Sequence, residues 1–325
     1  MTAWKHIKTN LDKVCRLDIP LIDMNFFLAP EAIGILNKIQ KIASISDHEF
    51  IQVLKKSSHL LDLKPYNMVQ LQSQFFSNKT NSRISDGQFL MLMSLVRLNS
   101  LNIDKNYNSC LSKVQMMAQI YETTNLAITL QSTIKNDDPI KNAGNKIALL
   151  LSDVLFAKVS KLLSKYNMPF VVENISEAIS STLEGRYSNL KPHNPPVLSL
   201  SIIDKISAKS GSNCDSVKVW LSNITSCKGI LFNKCLETVI KVLDEEAHTS
   251  LESIESYTNL SHIWIYLVSL ENFKAEFDHL PLTLFNEASS AIQDLKNNTL
   301  KASYELEILD NVFEKISNDV ANNKN

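Results

Sequence analysis

The sequence predicts an all-α protein, a single-domain bundle of roughly a dozen helices spanning residues 1–325. Three observations carry that expectation. Only six glycines occur in 325 residues, whereas strand-rich and nucleotide-loop folds need many residues at positive φ. Apolar residues recur at helical spacing along most of the chain. Neither G-x-G-x-x-G nor G-x-x-x-x-G-K is present, which removes the usual dinucleotide and P-loop readings. Hydrophobic residues make up 44% and charged residues 21% of the chain, proportions that exclude wholesale disorder and suit a large core.

The elements follow in order. Trp4, Ile7, Leu11 and Val14 share one helical face, so the fold is expected to begin almost at Met1. Pro30 suits a first-turn position ahead of Ile33, Leu36, Ile39 and Ile42. Ser46-Asp47-His48-Glu49 reads as a capping box opening a helix through about Leu63. Pro65 starts another, to Phe76. A polar loop from Asn78 to Ser85 precedes a helix from about Gly87 to Leu98. A long helix is expected from about Asn108 to Thr133, and Asp138-Pro139 should lie beyond its end because proline disfavours helix at the residue before it.

Asp137–Leu190 reads as two helices joined by a turn at Asn167-Met168-Pro169, the second stopping near Gly185. Residues 190–212, with three prolines, form a variable connection in which Leu198–Ile206 can make a short helix. Helical pattern resumes from Asp215 through Trp220 and Phe232–Leu243. It continues in Leu251–Tyr257, in the apolar run His262–Leu270, and in two final helices near 282–296 and 299–319.

Bulk properties exclude several classes of function. A formal charge of −1 with interspersed signs gives no drive toward nucleic acid. The five cysteines (15, 110, 214, 227 and 235) are scattered and never spaced as C-x-x-C, which fits reduced core thiols. No apolar run is long enough to span a bilayer. The N-terminal stretch lacks a signal-peptide core and mixes Asp12 and Asp18 with its basic residues. It therefore reads as a first helix, with no clear transit peptide.

The segment Gly144–Arg186 carries a resemblance. Gly144, Asn145, Lys146, Ala148, Leu149, Asp153, Leu155 and Ala157 fit the pattern G-N-K-x-A-I-L-x-G-D-x-L-x-A. Val171, Val172, Ala178, Ile179, Leu183 and Gly185 fit V-V-x-x-x-x-x-A-I-x-x-L-x-x-G-E. In order, spacing and helix placement the segment resembles the trans-isoprenyl diphosphate synthases. That resemblance implies two Asp-rich motifs that grip magnesium and the departing diphosphate, since magnesium takes hard oxygen ligands.

Both motifs are missing. Glu122, Ala127 and Leu130 keep the register of E-x-x-H-x-A-x-L-x-H-D-D, which places Ser132 and Thr133 where the paired aspartates belong. The helix marked by Tyr257 then reads TNLSHIWIYLVSLENF, without an aspartate. Tyr66–Phe76 lacks the Gly, Lys and Arg of the early diphosphate-binding sequence. The Lys-Thr pair falls on Cys227-Lys228, displaced by one, and the Gly-Glu pair becomes Gly185-Arg186.

Other acidic and histidine residues have plainer readings. Asp137-Asp138 suits a turn or cap, and Asp244-Glu245-Glu246 a solvated helix face. His248 and His262 lie outside any H-E-x-x-H pattern and read as polar or packed surface residues. Met91, Met93, Met116 and Met117 suit core positions. Asn145, Lys146 and Asp153 read as structural polar residues at a helix contact.

Within the family the closest resemblance is to the non-catalytic subunits of decaprenyl/solanesyl diphosphate synthases. The match runs from Asp138-Pro139-Ile140-Lys141 into Gly144-Asn145-Lys146-Ile147-Ala148-Leu149-Leu150. It implies a chain with no catalytic or metal-binding residues and no bound cofactor. Such a chain joins a magnesium-dependent catalytic subunit in a heterotetramer that makes the ubiquinone side chain, and mitochondrial localisation follows by resemblance. Ile147, Leu150, Leu151, Val154 and Leu155 are then expected at the subunit contact. An active prenyltransferase with a remodelled metal site, or an unrelated helical adaptor, are the competing readings.

Overall fold

The computed structural model describes residues 49, 52–53, 85–101, 106–134, 142–187, 197–209, 214–247, 254–270, 279–298 and 304–322. These residues are almost entirely helical, as the glycine count and periodicity predict. The elements are α1 (Asp86–Ser100), α2 (Tyr107–Ser132), α3 (Asn142–Tyr166), α4 (Pro169–Tyr187), α5 (Val197–Lys209) and α6 (Cys214–Ile224). A π-turn, Thr225–Gly229, leads into α7 (Ile230–Ala247), followed by α8 (Ile254–Leu270), α9 (Leu280–Asn298) and α10 (Tyr304–Asn322). The helices read at Trp4–Val14, at Ile33–Ile42 and after Pro65 lie outside the described residues. Of the helix read from Ser46 to Leu63, Glu49, Gln52 and Val53 are described, and they are helical.

Local chemistry accounts for the boundaries. At the start of α1 the Gln88 amide donates to Ser85 Oγ (3.2 Å) and the Ser85 amide to Gln88 Oε1 (2.9 Å), a complete capping box. α2 ends where the Thr133 and Ile134 amides turn back to the Leu130 and Gln131 carbonyls (both 3.1 Å). Between α3 and α4, Asn167 takes φ of 52°, a left-handed conformation that asparagine tolerates better than most residues. Pro169 then opens α4 at the one helical position where a missing N–H costs nothing. The expected short helix in the 190–212 connection is present as α5. The segments read at Leu251–Tyr257 and His262–Leu270 belong to one helix, α8.

The chain divides into two compact units: Met1–Tyr66 with Glu122–Leu162, and Asn67–Tyr121 with Leu163–Asn325. In the first, α2 and α3 join through Leu126, Ala127, Leu130, Ala148 and Leu155, with Ile147, Leu151, Val154 and Phe156 packed against them. In the second, α7 is the hub. It packs against α1, α4 and α8, while α8 packs on α9 and α9 on α10. α1 is apolar nearly all round, and Phe89 through Met93 are fully buried or nearly so, the signature of a helix enclosed by others. Ring contacts tie these elements together: Phe89 stacks on Trp264 (centroids 4.1 Å apart) and meets Phe313 edge-on at 5.8 Å.

The π-turn before α7 has no counterpart in the sequence reading. It inserts a residue into an otherwise continuous helix and leaves carbonyls without helical partners. α4 supplies what they need. Arg186 Nε donates to the Cys227 carbonyl (3.1 Å), and the Cys227 thiol approaches the Gly185 carbonyl at 3.5 Å. Gly185 makes this possible, because a Cβ there would stand 2.4 Å from the Ser226 carbonyl oxygen. Gly185→Ala should therefore destabilise the protein by about 1–3 kcal/mol in urea unfolding, although helix propensity alone would favour alanine by about 1 kcal/mol. A stabilising effect would mean that the close approach is not a constraint.

Candidate functional site

The two positions where the family resemblance expects metal ligands are occupied differently. Ser132 is exposed at the end of α2, and its Oγ donates to the Thr129 carbonyl at 2.7 Å. Thr133 is buried, and its Oγ1 donates to the Leu130 carbonyl, also at 2.7 Å. Both hydroxyls turn back on carbonyls of the last turn of α2, and the Leu130 carbonyl also receives the Thr133 amide. A hydroxyl so used is neutral and directed at its own backbone, so it offers a cation nothing comparable to a carboxylate.

α8, the helix after Tyr257, is buried over most of its length, and its buried positions carry neutral side chains such as Leu260, Trp264 and Tyr266. Three polar junctions lie along it. Trp264 Nε1 donates to Asp86 Oδ1 (2.9 Å), and Tyr121 Oη donates to Asp86 Oδ2 (3.1 Å). Burial pushes the Asp86 carboxyl up; these two donors and the positive charge of Lys228 oppose that shift. One turn away, the Tyr266 and Thr225 hydroxyls meet at 2.9 Å, which anchors the π-turn to α8. Further toward the N-terminus of α8, His262 bonds through Nε2 to Asn233 of α7, and Ser261 Oγ donates to Asn233 Oδ1. Among the described residues, no group of three or more His, Cys, Asp or Glu side chains could hold a metal ion.

Two sequence expectations need correction. His262 is no surface residue: it is buried against Asn233 and Tyr266, and burial takes it down to about 4, with the Thr258 backbone opposing part of the shift. Asp244 does not lie on a solvated face. Its Oδ1 accepts from Arg97 Nε (2.7 Å) and Nη2 (2.6 Å), with side-chain exposures of 12% for Arg97 and 4% for Asp244. Two residues on, Glu246 pairs with Lys113 of α2, and Glu245 alone of the three is exposed. An acidic run on an amphipathic helix is normally solvated; here the cations that bury it come from α1 and α2, far away in sequence. His248, Asp137 and Asp138 lie outside the described residues.

The remaining expectations are placed as follows. Leu155 is part of the core of its own unit, and Ile147, Leu151 and Val154 pack against that core; Leu150 is half-buried. Leu149, next to it, is 46% exposed. Lys146 and Asp153 lie at the surface, Asn145 is half-buried and Gly144 is buried. Met91, Met93 and Met117 are core residues and Met116 is half-buried. Cys110, Cys227 and Cys235 are free thiols; burial pushes all three upward, which makes them poor nucleophiles. Arg186, in place of the expected acid, serves the π-turn.

The junctions on α8 were not found from sequence. Trp264 and Tyr266 sit in an apolar run that reads as core, and Asp86 at the start of a helix carries no signal that singles it out. No protein-family model matches this chain, and no curated protein matches it.

Two measurements check these electrostatics. Asp244→Ala leaves Arg97 buried without its partner and should cost about 3–5 kcal/mol in urea unfolding. His262 binds its proton more weakly folded than unfolded, so its contribution to stability is complete above pH 6.5. That contribution is lost as the pH falls through about 4, to a total of about 3 kcal/mol. His262→Gln should flatten the loss of stability between pH 6.5 and 4; an unchanged slope would assign the acid sensitivity to other groups.

Proposed function

We propose that this chain is a catalytically silent, structural or regulatory subunit of a heteromeric all-trans-polyprenyl diphosphate synthase, of the decaprenyl or solanesyl type. One observation carries the reading: Ser132 and Thr133 stand at the expected metal-ligand positions, and both spend their hydroxyls on the last turn of α2. The aspartate-free, aromatic-packed α8 supports the same reading at the second motif. In this reading the magnesium chemistry resides in a catalytic partner subunit, the assembly is a heterotetramer, and its product supplies the ubiquinone side chain in mitochondria.

The contact with the partner is placed on α3. Leu149 is the exposed leucine of α3, Ile147, Leu150, Leu151 and Val154 are half-buried, and Leu155 is committed to its own core. Of the five positions Ile147, Leu150, Leu151, Val154 and Leu155, the half-buried ones contribute their outer edges.

The purified chain assayed with magnesium, farnesyl diphosphate and isopentenyl diphosphate should show no turnover alone and full turnover with the catalytic subunit added. Turnover by the chain alone would establish an active enzyme with a remodelled site. Leu149→Glu combined with Leu150→Glu should abolish co-purification with the catalytic subunit while leaving the helical circular dichroism signal intact. Undiminished co-purification would remove α3 from the contact.

A further inference from the structure

Three elements converge on one carboxylate at the first turn of α1. Tyr121 of α2 and Trp264 of α8 each donate to a different oxygen of Asp86 (3.1 and 2.9 Å), and the charge of Lys228 on the π-turn acts on the same group. The donors are held in place. Tyr121 is 1% exposed with its ring edge-on to Phe232 at 5.1 Å, and Trp264 is 2% exposed and stacked on Phe89. An indole N–H can only donate, so Oδ1 is an acceptor whatever the state of the rest of the group. Asp86 is not needed to cap α1, since Ser85 and Gln88 complete the capping box without it. Its carboxylate is spent on these partners.

Fixed donors, a nearby cation and a helix N-terminus are what a protein uses to hold an anion. Here the chain supplies the anion. We propose that Asp86 is a built-in ligand that fills a carboxylate-binding cradle formed by Tyr121 and Trp264, and closes it to anions from solution. Small carboxylates are the class that fits, because they reproduce the two oxygens these donors meet. The cradle lies within one compact unit, so the inference stands apart from the proposed partnership and its test needs no second subunit.

Removing the carboxylate takes from two buried donors the group that accepts from both, which costs stability unless an external anion returns. The full-length chain with Asp86→Gly, and separately with Asp86→Ser, would be unfolded thermally in sodium formate and in sodium chloride of equal concentration. Both variants should melt below wild type in chloride and recover in formate with a saturable dose response. Wild type should respond equally to the two salts. Adding Tyr121→Phe to Asp86→Gly should weaken the apparent formate affinity by about tenfold, the effect of one lost hydrogen bond. The proposal is overturned if formate acts no better than chloride on both variants, if it stabilises wild type equally, or if Tyr121→Phe leaves the recovery unchanged. Should neither variant fold in chloride, refolding yield makes the same comparison: recovery only in formate supports the cradle, and recovery in neither salt rejects it.

Discussion

The approach of α4 to the π-turn sets the geometry of the larger unit. Gly185 lies so near the Ser226 carbonyl that no side chain fits, and Arg186 donates to the Cys227 carbonyl of the π-turn. This contact fixes where α7 begins and which of its faces meets each neighbour. α7 in turn brings Asn233 to His262, Asp244 to Arg97 and Glu246 to Lys113. Lys241 of the same helix lies 4.7 Å above the Phe170 ring, fastening the opposite end of α4. A helix that touches three others can carry so many specific partners only if its rotation and start are fixed.

The polar groups of the interior serve architecture. Asp244, which is buried, pairs with Arg97, and the half-buried Asp86 accepts from Tyr121 and Trp264, in each case groups from other helices. The free thiols are held protonated by burial. Buried polar groups of this kind penalise alternative packings, because a shifted helix would leave a charge or donor without a partner. At the end of α2 the same economy holds on a smaller scale, where Ser132 and Thr133 close their own helix. The neutral hydroxyls at those two positions and the packing along α8 are the observations on which the proposed structural role rests.

The helices themselves were legible in the sequence. The helix beginning near Gly87, the stop before Pro139, the turn at Asn167-Met168-Pro169 and the short helix inside 190–212 all follow from local chemistry: prolines and helical periodicity act over a few residues. The absence of carboxylates at Ser132 and Thr133, and of aspartate from α8, was legible too, since it is a matter of composition at defined positions. Asp244 and His262 were misread because burial is decided by elements distant in the chain. Nothing within α7 announces Arg97, which lies 147 residues from its partner, and nothing near His262 announces Asn233.

The sequence by itself therefore determined the helical class, most of the described helices and the neutral side chains at Ser132 and Thr133, because each depends on neighbours a few residues away or on the residue present. Tertiary structure alone decided that a π-turn precedes α7, that Gly185 is there to admit it, and that Asp86 accepts from Tyr121 and Trp264. Those outcomes depend on how close two helices come and which polar groups lose water together. Such quantities exist only once the chain has packed.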